Sequence, residues 1–147
     1  MLLMYNLEII KKKFENDKFA NNFNIVLDDL TEDSVKMHME LKEEYNNFYG
    51  RPHGGAIYAL ADAAFSVIGN NRNNISVALD STIHYHYSPN AGEVLYVEGK
   101  LIFQTRKIGT YNFNLYVLEN DVKKKVATMI SALYRTGRPI DDKFEVI

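Results

Sequence analysis

A chain of 147 residues suits a single domain, 1–147, and is long enough to bury a sizeable core. The formal net charge of −2 gives no electrostatic reason to expect nucleic acid, and the lack of cysteine excludes disulfides, thiol catalysis and cysteine-based zinc sites. No apolar run approaches the ~20 residues that span a bilayer, and Glu8 followed by Lys11, Lys12 and Lys13 is not the charge order of a signal peptide. A cytoplasmic chain without membrane contact is expected.

Residues 3–20 read as an amphipathic surface helix, with Leu3, Leu7, Ile10 and Phe14 at helical spacing. Its lysines come mixed with Glu8, Glu15 and Asp17, which argues against a membrane surface. Asn21, Asn22 and Asn24 break it, and residues 23–30 read as a strand. Val35, Met37, Met39 and Leu41 then alternate with Lys36, His38 and Glu40, which makes the second strand of a hairpin with His38 solvated. After a loop over 42–52, Ile57, Leu60, Ala61, Ala64 and Ile68 form the stripe of a helix that ends near Gly69. Ala56, Ala59, Ala63, Phe65 and Val67 fill most of its other sides, so it should be enclosed by other structure.

Strands are expected at 75–87, 93–104, 111–119 and 126–135, separated by Ser88-Pro89 with Asn90-Ala91-Gly92, by a basic turn holding Arg106 and Lys107, and by Asn120-Asp121. The tail after Thr136 has no pattern. Four strands in meander order that wrap an apolar helix make the class α+β, with an N-terminal helix (1–20), a core (22–136) and a tail (137–147).

Asp62 is the lone charge within the apolar helix, on a flank shared with Gly55, Tyr58, Ser66 and Gly69. An unpaired carboxylate in an enclosed place costs several kcal/mol, so either that flank is wet or Asp62 has a task. Gly54 and Gly55 stand at the helix N-terminus, where free N–H groups could stabilise a developing oxyanion and the missing side chains let a ligand approach. Asp62 lies two turns on, roughly 10–12 Å away along the axis. That is too far for both to act on one carbonyl carbon of the same chain, and a second copy is the obvious supplier.

The spacing Asn47-x-x-Gly50-x-x-His53-Gly54-Gly55, with Asp62 nine positions after His53 inside Leu60-Ala61-Asp62-Ala63-Ala64, resembles the hotdog-fold acyl-CoA thioesterases. The run Leu79-Asp80-Ser81-Thr82-Ile83-His84-Tyr85 and the Ser88-Pro89 turn bring it nearest the phenylacetate-degradation, PaaI-like branch, over about residues 22–136. The resemblance implies a hotdog fold, an antiparallel sheet wrapped around a long central helix. It also implies Asp62 as general base or nucleophile, the Gly54 N–H as oxyanion donor, Asn47 holding water or substrate, and His53 shaping the turn. Coenzyme A would enter as part of the substrate, with no metal and no separate cofactor. The loop of one subunit would face Asp62 of the other in a homodimer, with a dimer of dimers (a homotetramer) expected. Gly55, Tyr58 and Ser81 are assigned to the substrate side, and Arg106 and Lys107 to the coenzyme A phosphates. For these two, as for Arg72, a solvated turn residue is the plainer reading.

Where some relatives carry an assisting Ser or Thr, this sequence has Ala78, with Ser76 two residues earlier on the same strand face. The stretch 83–87 is one residue longer than the family pattern, which suggests a bulge. His84 and His86 share one face of the strand, with Tyr85 and Tyr87 on the other, but have no third ligand, and packing and interface roles are expected for them. A hydratase of the same fold spaces its acid differently. A non-catalytic domain that senses acyl-CoA is the alternative, and the retained Asp62 favours the enzyme. A phenylacetyl-type acyl group is one candidate substrate, with aliphatic groups left open.

Overall fold

The computed structural model of the chain describes residues 2–143 and 146, with side chains from Leu7 onward, so the side chain of Leu3 in the N-terminal stripe and residues 144, 145 and 147 of the expected tail lie outside what is described. The elements run α1 (Leu2–Phe14), α2 (Lys18–Asn22), β1 (Val26–Leu30), β2 (Ser34–Glu40), α3 (Gly54–Gly69), β3 (Ser76–Tyr85), β4 (Val94–Gln104), β5 (Ile108–Glu119) and β6 (Val122–Arg135). Among the described residues the strands form one six-stranded antiparallel sheet in the order β1-β2-β4-β5-β6-β3, and α3 packs across its inner face.

The core forms where the stripe of α3 meets the inward side chains of the strands. Ile57, Leu60, Ala61, Ala64 and Ile68 are all buried, as are Met37, Met39 and Leu41 from β2 and its end, Leu95 and Val97 from β4, and Phe113, Leu115 and Val117 from β5. Burying each large side chain stabilises the fold by about 1.5–3 kcal/mol. The alanines of α3 keep the helix thin, so the sheet approaches it closely. Phe65 fits against Phe113 edge-on, with ring centroids 5.8 Å apart.

Three boundaries differ from the sequence expectation, each for a local reason. The helix expected over 3–20 breaks because Asp17 takes an N-cap: its carboxylate accepts the Ala20 N–H at 2.9 Å and starts α2. The strand expected from residue 23 begins at Val26, because Asn24 is left-handed (φ +52°) and the Ile25 N–H turns back to the Ala20 carbonyl at 3.1 Å. β5 and β6 run longer than their alternation suggested, down to a tight turn in which Asn120 and Asp121 both take positive φ (51° and 63°).

The four-strand meander is corrected to three. β4, β5 and β6 are consecutive, but β3 pairs with β6 at the far edge, from Ser76↔Arg135 to Tyr85↔Ala127. α3, with 16 residues and a length of about 24 Å, is long enough to carry the chain past the strands between β2 and β3. β3 is therefore an edge strand, with Val77 and Leu79 exposed by 47% and 57% and Ile130 of β6, the partner of Thr82, exposed by 51%. Its register shifts between Ala78 and Asp80. Beyond its end the His86 and Tyr87 N–H groups both donate to the Val126 carbonyl, at 2.7 and 3.2 Å, so two residues face one partner there, as in a bulge.

The tail has more order than its composition suggests. Asn73 at the end of the helix connection accepts the Ile140 and Asp141 N–H groups through Oδ1 at 3.1 and 2.8 Å, and the Ile75 N–H donates to the Arg138 carbonyl.

Candidate active site

Of the residues singled out in the sequence, Asn47, His53, Gly54, Gly55 and Asp62 fall at two stations along α3. The first is the N-terminus of α3. His53 caps it: Nδ1 accepts the Gly55 N–H at 2.8 Å, which places the proton of the neutral ring on Nε2. A Cβ on Gly55 would stand 3.0 Å from that Nδ1, so glycine is what allows the close cap. The cap also occupies the Gly55 N–H, so Gly55 offers a ligand room and not a donor. The Gly54 N–H, at the first helical position, has no acceptor in the helix ladder. The Gly54 carbonyl accepts the Tyr85 hydroxyl at 3.0 Å.

Asn47 belongs to the same station. Its Oδ1 accepts the Tyr49 and Arg51 N–H groups at 3.2 and 3.1 Å, closing a loop, while its side-chain NH2 has no acceptor among the described residues. Asn47, Gly54, Ile57, Tyr85, His86 and Ser88 line a cleft of about 310 Å³.

The second station holds Asp62, two turns along α3 and about 12 Å from Gly54 by helix rise. It lines a cleft of about 180 Å³ with Phe65, Ser66, Asn70, Ser76, Val77, Ala78 and Leu133. The carboxylate is exposed in the single chain and has no hydrogen bond or ion pair among the described residues. Burial of its surroundings, and next the charge of Asp17, hold its pKa above the ordinary aspartate range. The hydroxyl nearest in sequence to the expected assisting position is engaged elsewhere, since Ser76 Oγ donates to the Gly69 carbonyl at 2.8 Å.

Tyr58, Ser81, Arg106, Lys107 and Arg72 stand outside both clefts. Tyr58 is half-buried on α3 between Gly54 and Asp62, against the core. Ser81 Oγ shares a hydrogen bond with Ser131 Oγ at 2.7 Å. Arg106 and Lys107 are exposed on the β4–β5 turn. The register puts that turn at the Ser76 end of β3, beside Asp62's station and away from Gly54's. Arg72 is tied to Glu32 at 3.1 Å. His86 Nε2 lies 3.1 Å from Thr128 Oγ1, and among the described residues no cluster of three or more His, Asp or Glu is placed to hold a metal. Sequence reasoning assigned no site role to Tyr85, Arg51 or Asp17, which contact or electrostatically influence the candidate residues. Asp17 carried a signal, as an acid just before a helix start, but the contacts of Tyr85 and Arg51 join residues 31 to 39 positions apart.

The family model described as the thioesterase superfamily matches residues 49–124, more than half of the chain. The chain belongs to that superfamily. Within it, the Escherichia coli acyl-coenzyme A thioesterase PaaI is 27% identical over 127 residues, covering 86% of this chain and 89% of that protein. A relative from Archaeoglobus fulgidus is 30% identical over 124 residues, with 84% and 79% covered. The solved structure of E. coli PaaI superposes with a TM-score of 0.87 at 24% identity, over 96% of this chain and 100% of that one. A Streptococcus mutans protein solved with acetyl CoA superposes with a TM-score of 0.72 at 23% identity, over 79% and 91%. The fold is the hotdog fold, and the chain is a PaaI-like thioester hydrolase. Among the described residues no helix is long and apolar enough to cross a membrane.

Proposed function

We propose that this thioesterase hydrolyses acyl-coenzyme A to the free acid and coenzyme A at a site made by two copies of the chain. The observation that carries the reading is Asp62: an acid on an otherwise apolar helix, open to a cleft and without a hydrogen bond or ion pair among the described residues. The Gly54 N–H is the complementary half, a donor at the first helical position with no acceptor in the helix ladder. β3 joins the two stations. It is an edge strand with exposed apolar side chains, a template for pairing with a second copy. If two β3 strands pair antiparallel about a two-fold axis, the Ser76 end of one lies against the Tyr85 end of the other. Asp62 of one subunit then faces the partner's Gly54 and Asn47. A dimer of dimers in the cytoplasm completes the proposal, consistent with a cysteine-free chain.

In this reading the thioester carbonyl oxygen accepts the Gly54 N–H, and the Asn47 NH2 holds the attacking water. Asp62 removes a proton as the water adds to the carbonyl carbon. The oxyanion collapses, the carbon–sulfur bond breaks, and the proton on Asp62 passes to the departing thiolate. Asp62 acting as nucleophile would place a mixed anhydride before the water step, and single turnover in ¹⁸O-water separates the two by labelling the acid or Asp62 first. Tyr58 and Ser81 would face the acyl part, and Arg106 and Lys107 the coenzyme A phosphates. The substrate of the E. coli relative supports acyl-CoA as the class.

The test is hydrolysis of an aromatic and aliphatic acyl-CoA panel by the wild-type chain and Asp62→Asn. Loss of a general base lowers the rate about 10²- to 10⁴-fold. A wild-type rate in Asp62→Asn refutes the assignment of Asp62. A wild-type chain inert to the whole panel, yet raised in melting temperature by acyl-CoA, refutes hydrolysis in favour of ligand sensing.

A further inference from the structure

The loop that presents Asn47 is not held by burial. Its tip residues Phe48 and Tyr49 are 99% and 67% exposed and touch each other edge-on at 5.0 Å. What holds it is Arg51. The Arg51 N–H donates to Asn47 Oδ1 at 3.1 Å, and its carbonyl accepts the Asn47 N–H at 2.7 Å, so the backbone of Arg51 sets the Asn47 turn. The side chain then leaves the loop. Nε donates to Ser88 Oγ at 3.1 Å, and the two terminal nitrogens donate to Asn90 Oδ1 and to the Ser88 carbonyl. Ser88 lines the same cleft as Asn47 and Gly54, and the Asn90 N–H is tied to Glu93 Oε2 at 2.7 Å, so the anchor is itself fixed. All three acceptors are neutral, and Arg51 has no carboxylate partner among the described residues. A planar guanidinium spans three such acceptors, while a lysine ammonium, a single point on a flexible stem, does not.

We propose that Arg51 is a positioning residue of the active site: clamped to Ser88 and Asn90, it fixes the Asn47 amide relative to the Gly54 N–H. The inference rests on the thioesterase reading above. It adds that the geometry of this loop is set from the β3–β4 connection, by a residue that does not touch the reacting atoms.

The experiment measures kcat and KM for wild type, Arg51→Ala, Arg51→Lys, Asn47→Ala and the Arg51→Ala/Asn47→Ala double variant, with Asp62→Asn as reference and melting temperature and loop amide exchange alongside. A displacement of about 1 Å costs up to 10²-fold, so Arg51→Ala should lower kcat roughly 10- to 100-fold with KM little changed. Arg51→Lys should recover only part of the loss. In the Asn47→Ala background the Arg51→Ala change should cost nothing further, because both act through one group. Amides in residues 49–51 should exchange faster in Arg51→Ala while those of α3 do not. Wild-type kcat in Arg51→Ala, or full additivity with Asn47→Ala, overturns the inference while Asp62→Asn still upholds the reading of the site. So does a pure KM effect that disappears with an S-acyl N-acetylcysteamine thioester, which lacks the coenzyme A phosphates; that pattern means direct phosphate contact. If wild type is inert to every thioester, the functional reading falls, and the exchange data alone decide the clamp: unchanged exchange overturns it.

Discussion

Two inactive variants should restore each other if the site is shared between subunits. Asp62→Asn removes the acid, and Asn47→Ala removes the amide at the other station; each homodimer carries two damaged sites. In a mixed dimer one site takes its loop from the Asp62→Asn chain and its acid from the Asn47→Ala chain, so both of its halves are wild type. The other site carries both changes. Purified mixed dimers should then show about half the wild-type specific activity, and a random equimolar mixture about a quarter, since half its dimers are mixed. The expectation follows from the spacing along one helix, where Gly54 and Asp62 stand about 12 Å apart, against the ~3 Å of a hydrogen bond. Differently tagged chains made together in one cell give the mixed species. Thiol release is followed with a chromogenic disulfide, and the absence of cysteine from the chain removes its own background. If the mixed dimer is no more active than its parents, both stations act within one chain and the paired-β3 arrangement is wrong.

Other measurements test the electrostatics and the packing. Because burial and Asp17 raise the pKa of Asp62, the folded state holds its proton more tightly than the unfolded chain does. Any stability this gives is present below the unfolded value and lost as pH rises through the folded one. Asp62→Asn should therefore melt no lower than wild type at pH 7, and a clear drop in melting temperature there would contradict the sign. For the same reason kcat/KM of wild type should fall on the acid side with an apparent pKa above that of an ordinary aspartate, a limb Asp62→Asn lacks. In the core, a Cβ on Gly99 would stand 2.6 Å from the Phe113 ring and 2.8 Å from Val35. Gly99→Ala should cost about 1–3 kcal/mol, visible as a melting temperature lower by several degrees, and an unchanged value would refute the close packing of β4 on the core.

Much of the fold is legible in the sequence wherever one face of an element is buried, because burial imposes a period. The stripe of α3 and the alternation of Val35, Met37, Met39 and Leu41 predicted buried side chains, and these positions are all buried by 97% or more. β3 shows where that logic stops. Its residues are mostly exposed in the single chain, so its sequence carries no clean alternation, and its neighbour is set by pairing with β6 some fifty positions away. No local pattern states that choice, and the nearer partner was the natural expectation. The breaks at Asp17 and Asn24 were obscured for the opposite reason: one side-chain cap and one left-handed residue outweighed a periodicity that runs on past them.

The site divides the same way. Asp62 stands out in sequence because a lone charge on an apolar helix is conspicuous, and Gly54 because glycine opens a helix; both are local facts. Arg51 and Tyr85 were silent because their work is done through contacts made only after folding. The single chain resolves the choice between a wet flank and a task for Asp62 only in part: the flank is exposed, which spares the carboxylate a large cost, yet its pKa is already raised. The groove that leaves Asp62 open is bounded by β3, whose edge is the open one next to Val77, Leu79 and Ile130. A second copy on that edge would cover the apolar patch and further dehydrate the carboxylate in the same event. Hydrophobic association would then offset the cost of enclosing the acid, and the pKa of Asp62 should rise on dimer formation, which is the direction a general base in a thioesterase requires.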